Sequence, residues 1–206
     1  MTKPALRIVP PKIEIRKVAT PRRPRNDKVR TREYLTEAEV EALIAACKDN
    51  RQPHRDATMI LIAFRHGLRA SELVDLQWTQ VDFEAARLAV SRVKNGTPST
   101  HPLTGRQLRA LRKLRRDSKS LFVFVNERGT PVTVSNFAKL MTKACAVAGL
   151  EIKAHPHMLR HACGFTLANA GKDTRSLQAY LGHKNIQHTV KYTELAPSRF
   201  KGWWKD

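Results

Sequence analysis

From Tyr34 onward, apolar residues recur at helical spacing over most of the chain. Thr36 followed by Glu39 has the form of a capping box, and Val40, Leu43 and Ile44 then share one stripe, which predicts a first helix ending near Asn50. Over residues 57–66 the run Met59-Ile60-Leu61-Ile62-Ala63-Phe64 is apolar nearly all round and halts at Gly67, the pattern of a core helix closed by a glycine. A short helix follows through Ala70-Ser71-Glu72-Leu73. Residues 87–93 and 99–103 are strand-like and flank Lys94-Asn95-Gly96; Asn-Gly between two such runs signals a hairpin and puts Lys94 at or beside its turn.

Helical periodicity resumes at Gln107, Leu108, Leu111 and Leu114, and residues 121–125 read as a buried strand before the turn Arg128-Gly129-Thr130-Pro131. Four further helices, over 134–148, 157–170, 173–181 and 186–193, are separated by Gly149, Gly171 and Gly182, each placed like a helix stop. The fold class is therefore mainly α with a small antiparallel β-sheet (α+β).

Before residue 34 the pattern breaks. Before residue 33, basic residues from Lys3 to Arg32 are opposed only by Glu14 and Asp27, prolines stand at 4, 10, 11, 21 and 24, and too little apolar material is present to fold alone. Residues 1–33 read as a basic, proline-rich flexible arm, with Ile8-Val9 and Ile13/Ile15 available for a short extended piece on a partner; a merely solvated tail is the competing reading. Residues 34–206 read as one domain whose tail, from about 194, carries Phe200, Trp203 and Trp204 on one side of a helical turn. These aromatics suit docking on a neighbouring subunit or packing on their own domain.

Charge narrows the partner. In 206 residues, 38 Lys and Arg face 18 Asp and Glu, a net charge of +20 that favours a polyanion and salt-dependent binding. An anionic membrane surface is the rival to nucleic acid, but no apolar run approaches a bilayer-spanning length and no signal-peptide core opens the chain, so a cytoplasmic, nucleoid-associated protein is expected. Cys47, Cys145 and Cys163 are odd in number and widely separated, which argues against a disulfide framework or a zinc ribbon and for small buried thiols.

Several residues carry candidate chemistry. His157 and Arg160, three apart, share a helical face that turns His161 aside and offers two phosphate donors. Arg69 leaves a core helix where an unpaired guanidinium is costly, so it faces solvent, an anion, or a carboxylate such as Glu72 or Asp75. Lys94 is either a solvated turn residue or a cation reaching into a cleft. Tyr192 follows His183 by nine positions in Leu-Gly-His-Lys-Asn-Ile-Gln-His-Thr-Val-Lys-Tyr, and a tyrosine downstream of a basic cluster on a basic chain points to covalent attack on a DNA phosphate.

These pieces, in order, are the segments Gly67-Leu68-Arg69-Ala70-Ser71-Glu72-Leu73, Val93-Lys94-Asn95-Gly96 with Ser99-Thr100-His101-Pro102-Leu103, His155-Pro156-His157-Met158-Leu159-Arg160-His161, Leu181-Gly182-His183 and Thr189-Val190-Lys191-Tyr192-Thr193. Over about residues 34–200 the chain resembles the tyrosine recombinases, or lambda-integrase family, and most closely their short fimbrial phase-variation members. The resemblance implies the catalytic-domain fold of that family, with Arg69 and Arg160 on the scissile phosphate, Lys94 as the hairpin lysine and general acid, and His157 and His183 as the two histidines. His157 is the expected proton acceptor and Tyr192 the nucleophile.

It further implies a 3'-phosphotyrosyl intermediate without metal, ATP or cofactor, and a double-stranded DNA partner. Self-association would be as a dimer per site and a tetramer in the synapse, with room for DNA-bending accessory proteins; inversion, integration and excision remain open outcomes. Most of the family carry a helical core-binding domain that the arm before Tyr34 is too short to supply, and the basic arm is expected to provide phosphate contacts in its place. A binding-only regulator, or a decayed mobile-element remnant, shares the charge and fold without needing the chemistry.

Overall fold

The computed structural model describes residues 32–93, 96–116 and 118–194. The arm up to residue 31, the Lys94-Asn95 turn and the tail from residue 195, with Phe200, Trp203 and Trp204, lie outside the described residues.

Helix α1 (Glu37–Ala45) opens with the capping box expected of Thr36 and Glu39 and runs into a 3-10 turn at Ala46–Asp49. Helix α2 (Pro53–His66) begins four residues earlier than its apolar run, because Pro53 is preorganised for a first helical turn. It is the core element: Met59, Ile60, Ile62, Ala63 and Phe64 are all buried, and it packs against α1, α4 (Gly105–Arg116) and α6 (Pro156–Asn169). The short α3 (Ala70–Val74) leaves α2 after Gly67. Helices α5 (Val134–Val147), α7 (Thr174–Leu181) and α8 (Gln187–Glu194) complete the helical set among the described residues.

The sheet has three antiparallel strands in the order β1 (Val81–Asp82), β2 (Arg87–Val90) and β3 (Ser99–Pro102), with Val81 opposite Leu88, Leu88 opposite His101 and Val90 opposite Ser99. Strand β2 is shorter than its apolar run predicts: the ladder ends at the Val90–Ser99 pair, and beyond it Gly96 N donates to Val93 O. Past the ladder, the Arg92 side chain turns inward to a buried carboxylate. Residues 121–125 also depart from expectation. Leu121 is 73% exposed and the segment forms no strand, because its backbone bonds are divided between two neighbours. Trp78 N donates to Leu121 O and Val123 N to Leu76 O, while Val132 N donates to Phe124 O. Val123 and Phe124 still bury their side chains in the core.

Two helices that matter for the site end alike. At the end of α2, Gly67 sits at φ 56° and Leu68 N donates to Ala63 O; at the end of α7, Gly182 sits at φ 65° and His183 N donates to Gln178 O. Both are glycine-closed helix ends of the Schellman type, in which a left-handed residue lets the chain turn sharply across the last turn. Cys47, Cys145 and Cys163 are buried free thiols, as the sequence predicts. No helix among the described residues is long and apolar enough to cross a membrane.

A Cβ added at Gly67 falls 2.5 Å from Leu181 Cδ2, on top of the left-handed backbone. Gly67→Ala is therefore expected to lower stability by about 1–3 kcal/mol, measured from the urea midpoint at unchanged slope, with no gain from the reduced freedom of the unfolded chain.

Candidate active site

The site grows from the ends of α2 and α7, where helix carbonyls lack intrahelical partners. Two guanidiniums fill that need. Arg160, in the middle of α6 and 1% exposed, donates to Gly67 O at 2.5 Å and Leu181 O at 2.6 Å. Arg92 donates to His66 O at 3.2 Å, Gly67 O at 3.3 Å and Tyr180 O at 2.6 Å. Positive charge at a helix C-terminus is favourable, so both arginines stabilise the two ends while tying them together.

Glu72 links these cations to Arg69. Its Oε1 accepts from Arg69 Nη1 at 2.6 Å and Val93 N at 3.2 Å; its Oε2 accepts from Arg69 N and Arg92 Nη1, both at 2.9 Å, and lies 4.0 Å from Arg160 Nη1. Burial pushes the carboxyl pKa up, but the Arg69 and Arg92 contacts outweigh it and hold Glu72 below the ordinary range. The sequence leaves Arg69 to pair with Glu72 or Asp75 or to face an anion; Glu72 takes one edge of the guanidinium, and the side chain stays 24% exposed.

Burial and the neighbouring Arg69 and Arg92 charges lower the Arg160 pKa to about 10, well above neutrality, so three arginines surround one carboxylate.

The histidines and the tyrosine close over this cluster. His183, directly after Gly182, is fixed through Nδ1 to Thr189 Oγ1 of α8 at 2.8 Å, which leaves Nε2 for a ligand. Its ring lies 6.3 Å from the Tyr192 ring and near parallel to it. Tyr192 is 1% exposed on α8, with Phe165 edge-on at 5.0 Å and Lys191 Nζ 5.1 Å from its ring centre. Gly164 of α6 makes room for it: a Cβ there would fall 2.8–2.9 Å from three ring carbons. Burial raises the phenol to about 12, against the opposing pull of Arg160 and Arg69. Tyr192 thus lies within the field of both guanidiniums.

His161 does not turn aside. Its Nδ1 is 2.8 Å from Tyr192 Oη, while the exposed His157 sits edge-on to it at a ring distance of 4.5 Å. His157 shares a helical face with Arg160 at i,i+3 and equally with His161 at i,i+4. Burial and the Lys191 charge lower His161 to about 3, so the neutral imidazole is assigned as acceptor and the protonated phenol as donor.

Arg69, His157, Arg160, His183 and Tyr192 are therefore brought together. Lys94 lies outside the described residues, although Val93 on one side of it binds Glu72 and Gly96 on the other packs against Gly182 O. The sequence reading missed Arg92, His161 and Thr189, and named Glu72 only as an ion-pair partner. Spacing alone offered a signal for two of them: Glu72 three residues after Arg69, and His161 four after His157.

Comparison with known proteins agrees with this arrangement. The model of the phage integrase family matches residues 33–199. The type 1 fimbriae regulatory protein FimB of Escherichia coli (strain K12) is 40% identical over 179 residues, covering 84% of this chain and 90% of FimB. FimE of the same strain is 39% identical over 181 residues, covering 84% and 91%. The crystal structure of XerA recombinase superposes with a TM-score of 0.70 at 26% identity, over 80% of this chain and 61% of that one. The chain belongs to the phage integrase family of tyrosine recombinases, and is by class a site-specific recombinase.

Two measurements test the resting site. His161→Phe strands the buried phenol hydroxyl and is expected to cost about 1–3 kcal/mol, much of it recovered when Tyr192→Phe is added; additive losses would mean that the hydrogen bond is not formed in solution. Acid provides the second. Burial holds His66, His161 and His183 at about 3 and His101 at about 4, below the value near 6.5 of an unfolded histidine. The unfolded state binds protons first, so stability is complete above pH 6.5 and falls as pH drops toward 4. Each such histidine contributes at most about 1.4 kcal/mol per pH unit, read from urea unfolding at pH 7.5, 6 and 5.

Proposed function

We propose that this chain cleaves and rejoins double-stranded DNA at specific sites through a 3'-phosphotyrosyl link to Tyr192, without metal, ATP or cofactor. The observation that carries the reading is the placement of the Tyr192 phenol within the field of Arg69 and Arg160, around a carboxylate that neutralises only part of their charge.

Attack on a phosphodiester spreads negative charge over the non-bridging oxygens, and planar, always-charged guanidiniums offer preorganised donors to that charge. Glu72 fixes the Arg69 fork and helix ends fix Arg160, so neither side chain has to be ordered when the phosphate arrives. His183 Nε2 supplies a further donor, its orientation set by Thr189. Tyr192 oxygen bonds to phosphorus as the 5' oxygen departs. The phenol proton passes to a neighbouring histidine, for which His157 is the sequence candidate and His161 the residue whose Nδ1 accepts the phenol's hydrogen bond in the resting state. Lys94 protonates the leaving oxygen. One phosphoester replaces another, so a free 5' hydroxyl reverses the step and the bond energy is kept.

The same reading makes DNA the polyanion that the net charge of +20 favours, with protomers assembling as a dimer per site and a tetramer in the synapse. The similarity to two fimbrial regulators favours a regulatory DNA rearrangement over a topoisomerase.

The test uses a nicked duplex library of random sequence. Covalent protein–DNA adducts that survive denaturation and disappear on protease treatment are expected from the wild type and not from Tyr192→Phe, and sequencing the trapped DNA gives the target. Arg69→Ala and Arg160→Ala are expected to slow adduct formation on that target at least ~100-fold. An adduct retained by Tyr192→Phe would refute the nucleophile, and binding without any adduct would favour a binding-only regulator.

A further inference from the structure

Among the described residues, Arg92 is the one buried arginine that the reaction chemistry leaves unused. Its side chain is 0% exposed, and both terminal nitrogens are taken by Glu72 and the carbonyls of His66, Gly67 and Tyr180. Its Nε is buried without a partner. Two glycines make room for it: a Cβ at Gly182 would lie 2.7 Å from Arg92 Cγ, and one at Gly96 would lie 2.8 Å from Arg92 Cβ. Arg92 thus presents no surface to solvent, and it is Arg160 and Arg69, not Arg92, whose charges act on the Tyr192 phenol.

Burying a charge is costly, and a well-packed apolar side chain is often the more stable choice at such a position. What the charge supplies shows in the local balance. Glu72 carries one negative charge, shared by Arg69 at 2.6 Å, Arg92 at 2.9 Å and Arg160 at 4.0 Å. Without Arg92, the carboxylate would be compensated by the two guanidiniums that face the reaction centre. With Arg92, part of that demand is met by a guanidinium that has no exposed surface, and Arg69 and Arg160 keep more of their charge for an incoming anion. The field of Arg92 also reaches His66 and His101, whose rings meet at Nδ1–Nδ1 3.1 Å on the other side of it.

We propose that Arg92 is a positioning residue that sets the net positive charge of the phosphate site by neutralising Glu72 from the buried side, without touching substrate. This inference rests on the reading that Arg69 and Arg160 hold the scissile phosphate.

A charge-setting role is separable from a structural one by changing the charge of the substrate. The probes are two forms of the duplex recovered from the adduct library, one with an ordinary phosphate at the cleaved position and one with a methylphosphonate, in which a methyl group replaces a non-bridging oxygen and the diester is neutral. In both, the Tyr192 oxygen–phosphorus bond forms, the phosphorus–O5' bond breaks, the phenol loses its proton and the 5' oxygen gains one. The readout is the ratio of adduct formation rates on phosphate and methylphosphonate, each variant being compared with wild type.

Arg92→Gln is expected to lower that ratio about 10- to 100-fold, because a neutral diester has less need of the missing charge. Arg92→Lys keeps the charge and is expected to leave the ratio within about 3-fold of wild type, even where lost hydrogen bonds slow both reactions. Circular dichroism and thermal unfolding establish that each variant is folded. Should Arg92→Gln fail to fold, the Lys variant decides: a ratio moved toward methylphosphonate by more than tenfold overturns the proposal. So does a folded Gln variant with equal losses on both duplexes. Arg69→Ala is the control for the underlying reading. If it leaves the ratio unchanged, the phosphate-site assignment fails; if it lowers the ratio while Arg92→Gln does not, the Arg92 proposal alone fails.

Discussion

The C-terminal ends of two helices must have their carbonyls satisfied away from water, and this chain satisfies them with guanidinium. Arg160 spans Gly67 O and Leu181 O, and Arg92 spans His66 O, Gly67 O and Tyr180 O. A buried carbonyl without a donor costs as much as a lost hydrogen bond, so these contacts are not optional. They bring α2 and α7 end to end, and everything that bears on chemistry follows from that junction. Arg69 stands two residues after Gly67, which closes one helix, and His183 directly follows Gly182, which closes the other. The glycines that close both ends permit this: each turns the chain within one residue, so the functional side chain emerges beside the carbonyls rather than a turn away.

Charge at the junction is layered. One carboxylate, Glu72, is enclosed by three guanidiniums that differ in access, from Arg69 with part of its fork in solvent to Arg92 with none. An ion pair of this kind contributes little net stability once desolvation is counted. Its value is geometric, since it holds like charges close together, which they would not adopt unaided. Thr189 does the corresponding task for His183 with a neutral hydroxyl, so the imidazole is oriented without adding charge.

How far the sequence reveals this can be judged from particular residues. Helix positions were legible because each rests on a local signal: the capping box at Thr36 and Glu39, Gly67 and Gly182 as stops, and the unbroken apolar run in α2. Residues 121–125 were misread because an apolar run records burial and not hydrogen bonding, and their backbone partners lie on two separate segments. Strand β1 is two residues long, too short for any periodicity to register. In the site, the described residues that the motifs mark do gather, but Arg92 was invisible as a site member. Its partners, Glu72 and Tyr180, are 20 and 88 residues away, and only the packed fold brings them together. His161 was within reach of spacing arguments and was lost by applying only one of the two helical intervals.

Gly164 lies inside α6, where glycine is a poor helix former, and it is the ring of Tyr192 that occupies the space its missing side chain leaves. Tyr192 is thus a piece of the core, wedged between helices like any buried aromatic. Drawing the phenol out toward a phosphorus atom would vacate a ring-sized hollow beside α6 and forfeit its packing against Phe165. In the proposed reaction, advancing the phenol and loosening the interior beside α6 are therefore a single event.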